Sequence, residues 1–269
     1  MHLNGKHTIV TGAAGGIGAA LATRFHAAGA NVVLADVQAE ALATMVAGLD
    51  AARPGSAMAI TADISTEAGN VALIEAARER FGEVDLFFAN AGIGGGTDPI
   101  TTPESDWMLA FAINVHAHRW AAKHLLPAWL ARGEGYFCST ASAAGLLSQI
   151  GSAPYTATKH AALAFAEWLS ITYGDAGLKV SCLCPQGVNT NMLRSGDTPG
   201  AGISSAVVRS AGRVLEPADV ADTVLEAIEA EIFLILPHPE VLDYFQRKAS
   251  DPDRWLAGMR KLQARTAAR

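Results

Sequence analysis

The run His7-Thr8-Ile9-Val10-Thr11-Gly12-Ala13-Ala14-Gly15-Gly16-Ile17-Gly18 passes from apolar to glycine-rich within twelve positions. His7 to Val10 reads as a strand, and the residues that follow the glycines, to about Ala28, read as a helix. Between them Gly12 permits a tight turn, Gly16 lets backbone approach a bound group, and Gly18 lets helix and strand pack closely. A helix that starts on bare backbone N–H groups presents a positive end, so the turn is suited to phosphate.

Outward from this turn the same grammar repeats. Asn31 to Ala35, Ala57 to Thr61, Val84 to Ala89, Tyr136 to Ser139, Lys179 to Cys184 and about 232–236 are short apolar runs. Alanine-rich helical stretches separate them, at 38–50, 66–80, about Glu104 to Leu130 with Pro127 near its end, 155–173 and about 217–230. Nearly continuous apolar strands alternating with helices predict an α/β fold with a doubly wound parallel sheet, covered on both faces. Nothing between the strands reads as a linker. The chain, 1–269, is expected to be one domain with its core at 5–236 and a helical extension at 237–269.

Composition bounds what such a fold does. Half of the 269 residues are hydrophobic and 17% are charged, enough apolar surface to offset chain entropy. A net charge of −6 gives no basic field for nucleic acid or an anionic membrane. Arg254 to Arg269 carries five basic side chains and no acid, which reads as a solvated helix face. Cys138, Cys182 and Cys184 make no disulfide framework, and the last two alternate along a strand, so they share a face as small hydrophobes. With no signal-like N-terminus and no membrane-length apolar run, the expected location is the cytoplasm. No metal is expected.

Two further features sharpen the reading. Asp36 closes the second strand 18 residues beyond Gly18, where a carboxylate accepts hydrogen bonds from ribose hydroxyls and repels a 2′-phosphate. No Arg or Lys flanks it, so the expected cofactor is NAD. Asp36 also suits a helix N-cap. Tyr155 and Lys159 lie one helical turn apart, on one face, where an ammonium favours an ionised phenol.

Taken in order, the glycine turn, Asp36, Asp63, Ala89-Asn90-Ala91-Gly92, Asn114, Ser142, Tyr155-x-x-x-Lys159 and Pro185-Gln186-Gly187-Val188-Asn189-Thr190 resemble the compact branch of the short-chain dehydrogenase/reductase family over about residues 5–236. The resemblance implies a Rossmann fold and hydride transfer between NAD(H) and a secondary alcohol or ketone. Tyr155 would be the general acid and base, and Lys159 would lower its pKa and hold the nicotinamide ribose. Ser142 would hydrogen-bond the substrate oxygen, and Asn114 would hold a water linking Lys159 to solvent. The cofactor would be bound by Thr11, Gly12, Gly16, Ile17, Gly18, Asp36, Asp63, Ile64, Asn90, Gly92, Tyr155, Lys159, Pro185, Val188 and Thr190. A homodimer or homotetramer built on the helix at 155–173 and the long one before it is also implied.

The chain departs from the family pattern at three places. Ala89 stands where an asparagine is usual, Ala141 replaces a second serine, and Gln186 occupies the glycine position after Pro185. Gln186, Leu147 and Met192 are candidate substrate-pocket residues, within walls drawn from the Gly94-Gly95-Gly96 loop, 143–150 and 191–212. The glycines and serines of 195–205 suggest a lid. Apolar walls favour a hydrophobic alcohol or ketone. His238, between two prolines, reads as a turn residue. The competing readings are an NADP-dependent carbonyl reductase and a catalytically silent NAD-binding scaffold.

Overall fold

A computed structural model of the chain describes residues 1–195 and 203–267. Seven strands, β1 (His7–Thr11), β2 (Asn31–Asp36), β3 (Ala57–Thr61), β4 (Leu86–Ala89), β5 (Gly135–Thr140), β6 (Leu178–Leu183) and β7 (Leu234–Ile235), form one sheet in the order β3-β2-β1-β4-β5-β6-β7. Every pairing is parallel, with Thr11 opposite Ala35, Ala89 opposite Ser139 and Thr140 opposite Leu183. The doubly wound sheet is therefore as expected, and it unites the chain into a single domain.

Strand side chains alternate between two cores. Ile9, Val33, Phe87, Phe137 and Cys182 face one; Val10, Leu34, Phe88, Cys138 and Leu183 face the other. This double burial is why the strands read as unbroken apolar runs. Cys182 and Cys184 do share a face. The first core is closed by α3 (Glu67–Phe81), α5 (Ala117–Arg132) and α7 (Ala153–Tyr173), the second by α1 (Gly16–Ala27), α2 (Ala39–Ala52) and α10 (Pro217–Glu229).

Local chemistry sets the helix ends. Thr66 caps α3 by accepting the Gly69 N–H at 3.0 Å, and Gly133 ends α5 in the left-handed region at φ 69°. Pro127 lies inside α5, which continues to Arg132. The long helix expected from Glu104 is interrupted: α4 (Glu104–Phe111) leads into a wide π turn at Ala112–His116 before α5 begins.

Three short helices escaped the periodicity reading: α6 (Ala144–Leu147), α8 (Asn191–Ser195) and α9 (Ser204–Ser210). The expected lid falls partly on residues 196–202, outside the described residues. The extension forms α11 (Glu240–Ser250) and α12 (Pro252–Ala267), whose Tyr244, Phe245 and Trp255 pack against the first core. Lys248 donates to the Leu146 carbonyl at 2.6 Å, so the extension lies over the segment that follows β5. Among the described residues, no helix is long and apolar enough to cross a membrane.

Candidate active site

Strand order reverses between β1 and β4, and the crevice at the carboxyl ends of the strands is where open α/β sheets bind ligands. The glycine turn sits there. Gly12 has φ +68°, and a Cβ on it would lie 2.9 Å from Ala91 Cα; one on Gly18 would lie 2.1 Å from the Gly12 carbonyl oxygen. Neither position has room for a side chain. Gly16, at φ +54°, meets the Thr190 methyl, bringing the turn and the segment after β6 face to face.

The strand ends are stitched by polar side chains. Thr11 Oγ1 accepts the N–H groups of Asn90 and Ala91, each at 3.0 Å. Asn90 donates to the Thr11 carbonyl at 2.9 Å and accepts from Thr140 Oγ1 at 3.1 Å, tying β1, β4 and β5 together. Asp36 Oδ2 accepts the Ala14 N–H at 3.1 Å, while Oδ1 accepts the Val37 and Gln38 N–H groups ahead of α2. Asp63 is exposed and accepts the Ser65 N–H at 2.9 Å; Ile64 beside it is buried.

Asn114 occupies the π turn and is fully buried. Its amide accepts the Ile93 N–H at 2.8 Å and donates to the Ile93 carbonyl and Thr158 Oγ1, each at 3.0 Å. The side chain expected to hold a water is thus engaged in fixing the loop after β4 to α7. Gly92 makes the arrangement possible, since a Cβ there would lie 3.1 Å from both Asn114 Oδ1 and Lys159 Nζ.

Ser142 follows β5; its Oγ accepts the Ala144 N–H at 3.1 Å and donates to the Pro185 carbonyl at 3.4 Å. Burial pushes the Tyr155 phenol above its ordinary range, and the nearby Ser142 hydroxyl opposes that rise. Lys159 is 2% exposed, and burial lowers its pKa to about 8. Its Nζ donates to the Thr140 carbonyl at 2.9 Å and stands 5.6 Å from the centre of the Tyr155 ring. Here the structure departs from the expected effect: the groups that move the phenol are its own burial, Ser142 and Cys184, and the net direction is upward. The same enclosure disfavours a lone charge on either partner, so phenolate and ammonium are best tolerated together.

Pro185 and Val188 are buried on the other side of the crevice, with the Pro185 carbonyl accepting the Ala143 N–H at 2.8 Å. Among the pocket candidates, Leu147 is buried in α6 and Met192 is 44% exposed, its Cγ 3.8 Å from where a Cβ on Gly94 would sit. Gln186 points its Oε1 into a buried position without a hydrogen-bond partner among the described residues. Arg194 is held by Asn189 and Asn191. Thr140, Thr158 and His238 were not singled out as site residues from sequence. Their roles come from contacts between distant segments, and only Thr158, inside Tyr155-x-x-x-Lys159, had a local hint.

The sequence profile of short chain dehydrogenases matches residues 6–199. The chain belongs to the short-chain dehydrogenase family. This dehydrogenase is 36% identical over 244 residues to the 1-deoxy-11-beta-hydroxypentalenate dehydrogenase of Streptomyces exfoliatus, covering 89% of this chain and 86% of the relative. It is 32% identical over 192 residues to the meso-2,3-butanediol dehydrogenase of Serratia marcescens, with coverages of 71% and 75%. The solved structure of a family member from Burkholderia phymatum in complex with NAD superposes with a TM-score of 0.84 at 34% identity, covering 94% of this chain and 96% of that one. The dehydrogenase is therefore an oxidoreductase of a family that uses nicotinamide cofactors. Its residues fit such a group: α1 begins with no side-chain cap and no acid in its first turn, and the glycines leave a cradle that side chains would fill.

Proposed function

We propose that this dehydrogenase oxidises a hydrophobic secondary alcohol to its ketone with NAD, and catalyses the reverse reduction. The observation that carries the reading is Tyr155 beside the Ser142 hydroxyl, with the buried Lys159 ammonium over its ring, on the sheet edge that also carries the glycine turn and Asp36. The backbone at Thr11, Gly12, Gly16, Ile17 and Gly18 would hold the pyrophosphate. Asp36 would take the adenosine ribose, Asp63 and Ile64 the adenine, and Asn90, Gly92, Pro185, Val188 and Thr190 the nicotinamide end. When bound, NAD supplies the acceptor for the hydride.

Tyr155 Oη takes the alcohol proton in oxidation and returns it in reduction. Ser142 Oγ hydrogen-bonds the substrate oxygen and stabilises its developing charge. Lys159 supplies the positive charge that makes a transient phenolate tolerable in a dry site, with the Thr140 carbonyl holding it in place and Asn114 fixing its neighbour Thr158. A carboxylate at Asp36 with no basic neighbour supports NAD over NADP. Relatives whose names specify hydroxylated substrates support an alcohol, and Leu147 and Met192 support an apolar one.

The exposed apolar side chains Met108 and Leu109 on α4 and Trp168 and Ile171 on α7 support a homodimer or homotetramer. Three buried free thiols suit the reducing cytoplasm. The deciding experiment is a panel of secondary alcohols incubated with NAD or NADP while NADH or NADPH absorbance is followed. NAD-dependent turnover of an apolar alcohol is expected; turnover with NADP alone, or with none of the panel, overturns the reading.

A further inference from the structure

His238 lies beyond the last strand, in the extension, yet it is 2% exposed and all its ring bonding is directed at the segment after β6. Sheet topology delivers it there. β7 pairs with Cys182 and Leu183 of β6, and the Cys184 N–H donates to the Ile235 carbonyl at 2.9 Å, so the chain leaving β7 emerges beside the turn leaving β6. The two ring nitrogens make different demands. The Gln186 N–H, which only donates, points at Nδ1 from 3.2 Å. The carbonyls of Gly187 and Arg213, which only accept, lie 3.1 Å from Nε2. One species satisfies all three: the neutral imidazole carrying its proton on Nε2.

Other bonds hold the two ends of this turn: the Pro185 carbonyl accepts the Ala143 N–H and the Val188 carbonyl accepts the Thr190 N–H, both at 2.8 Å. The Gly187 carbonyl also accepts the Leu215 N–H, and the Asn189 N–H donates to the Leu215 carbonyl, both at 2.9 Å. The Gln186 N–H has the imidazole as its acceptor, and the Arg213 carbonyl is gathered into the same knot. At Gln186 and Gly187, between those ends, the turn is tied to a side chain about fifty residues further along the chain.

We propose that His238 is a positioning residue for the nicotinamide end of the cofactor. Its Nε2–H tautomer locks the Pro185–Val188 turn in place, so that the C-terminal extension sets the floor of the reaction site. The proposal rests on the cofactor reading given above. It separates the two ends of the dinucleotide: Gly16 faces Thr190, two residues beyond the Pro185–Val188 turn, and Asp36 bonds to Ala14, Val37 and Gln38, so an ADP-ribose fragment should be indifferent to His238.

The test uses the full chain, with NADH and ADP-ribose affinities measured by fluorescence titration and competition, and amide exchange followed over residues 183–190. Deleting one buried bonding group, as in His238→Ala, is expected to weaken NADH binding about tenfold. ADP-ribose affinity should stay unchanged and the Gln186 amide should exchange faster. His238→Asn, whose side-chain oxygen reaches the position of Nδ1, is expected to restore both NADH affinity and Gln186 protection. His238→Gln, which reaches only the position of Nε2, is expected to restore less.

NADH affinity unchanged in His238→Ala, or a parallel fall in ADP-ribose affinity, overturns the proposal. Should the alanine variant fail to fold, equal NADH affinities for the Asn and Gln variants overturn it as well. Wild-type protein that binds no NADH would remove the cofactor reading itself, a failure visible before any substitution is made.

Discussion

The two ends of the crevice are built differently. At the end formed by β1, β2 and β4, these site side chains are already committed within the fold: Thr11 to the Asn90 and Ala91 N–H groups, Asn90 to the Thr11 carbonyl and the Thr140 hydroxyl, Asp36 to the N–H groups of Ala14, Val37 and Gln38. At the end formed after β5 and β6, Gln186 keeps a buried oxygen without a partner among the described residues, and Met192 is exposed. The lesson is that one end is fixed by the fold before anything binds, while the other leaves side chains to be completed by a ligand. Tyr155 and Lys159 stand where the two meet.

If that division holds, Tyr155→Phe should remove turnover without touching cofactor affinity. Loss of a positioned proton-transfer group is expected to cost about a thousandfold in kcat, against an unchanged Kd for NADH. A variant that keeps more than a tenth of wild-type turnover would break the comparison at its centre.

Lys159→Met probes the same junction through stability. The folded-state pKa of Lys159 is lowered from 10.5 to about 8, so below pH 8 both states hold the proton and the folded protein bears the full cost of enclosing it. Between pH 8 and 10.5 the folded state releases the proton first, and wild type should gain on the methionine variant by about 3 kcal/mol over that window. Urea denaturation of both proteins at several pH values measures it; a difference independent of pH refutes it.

Smaller effects should separate the two ends. Removing the Asp36 charge in Asp36→Asn is expected to raise KM for NAD about tenfold and narrow the preference over NADP, through loss of charge-assisted hydrogen bonds. The order of alcohol substrates should not change. Gln186→Gly should do the opposite, leaving the NAD KM alone and shifting relative kcat/KM among alcohols by about fivefold, the size of one pocket contact. An unchanged ranking would discard a pocket role for Gln186.

The same division explains what was legible in the sequence. Gly12 and Gly18 are demanded by backbone with no room for Cβ, and Asp36 by the end of a strand, so both announce themselves within a few residues. The strands were legible because burial on both faces leaves them apolar throughout. α6, α8 and α9 are too short to show a period. The break between α4 and α5 was hidden because helical sequence continues through it. Thr140 and His238 act across tens of residues, on partners that only the folded sheet brings near. Lys159 was identified, but its bond to the Thr140 carbonyl and the upward push on Tyr155 follow from enclosure, which spacing alone does not report.

The wide turn at Ala112–His116 holds one residue more than an α-helical turn would. Excising one residue here would close it to ordinary helix and leave α4 and α5 in register, with His118, Ala121, Leu125 and Trp129 still pointing into the core. What would be lost is the aim of Asn114 at Ile93 and Thr158. A single-codon deletion at this point would therefore spare the layer and strike the site, whereas the same deletion further along α5 would rotate every later residue by about 100°.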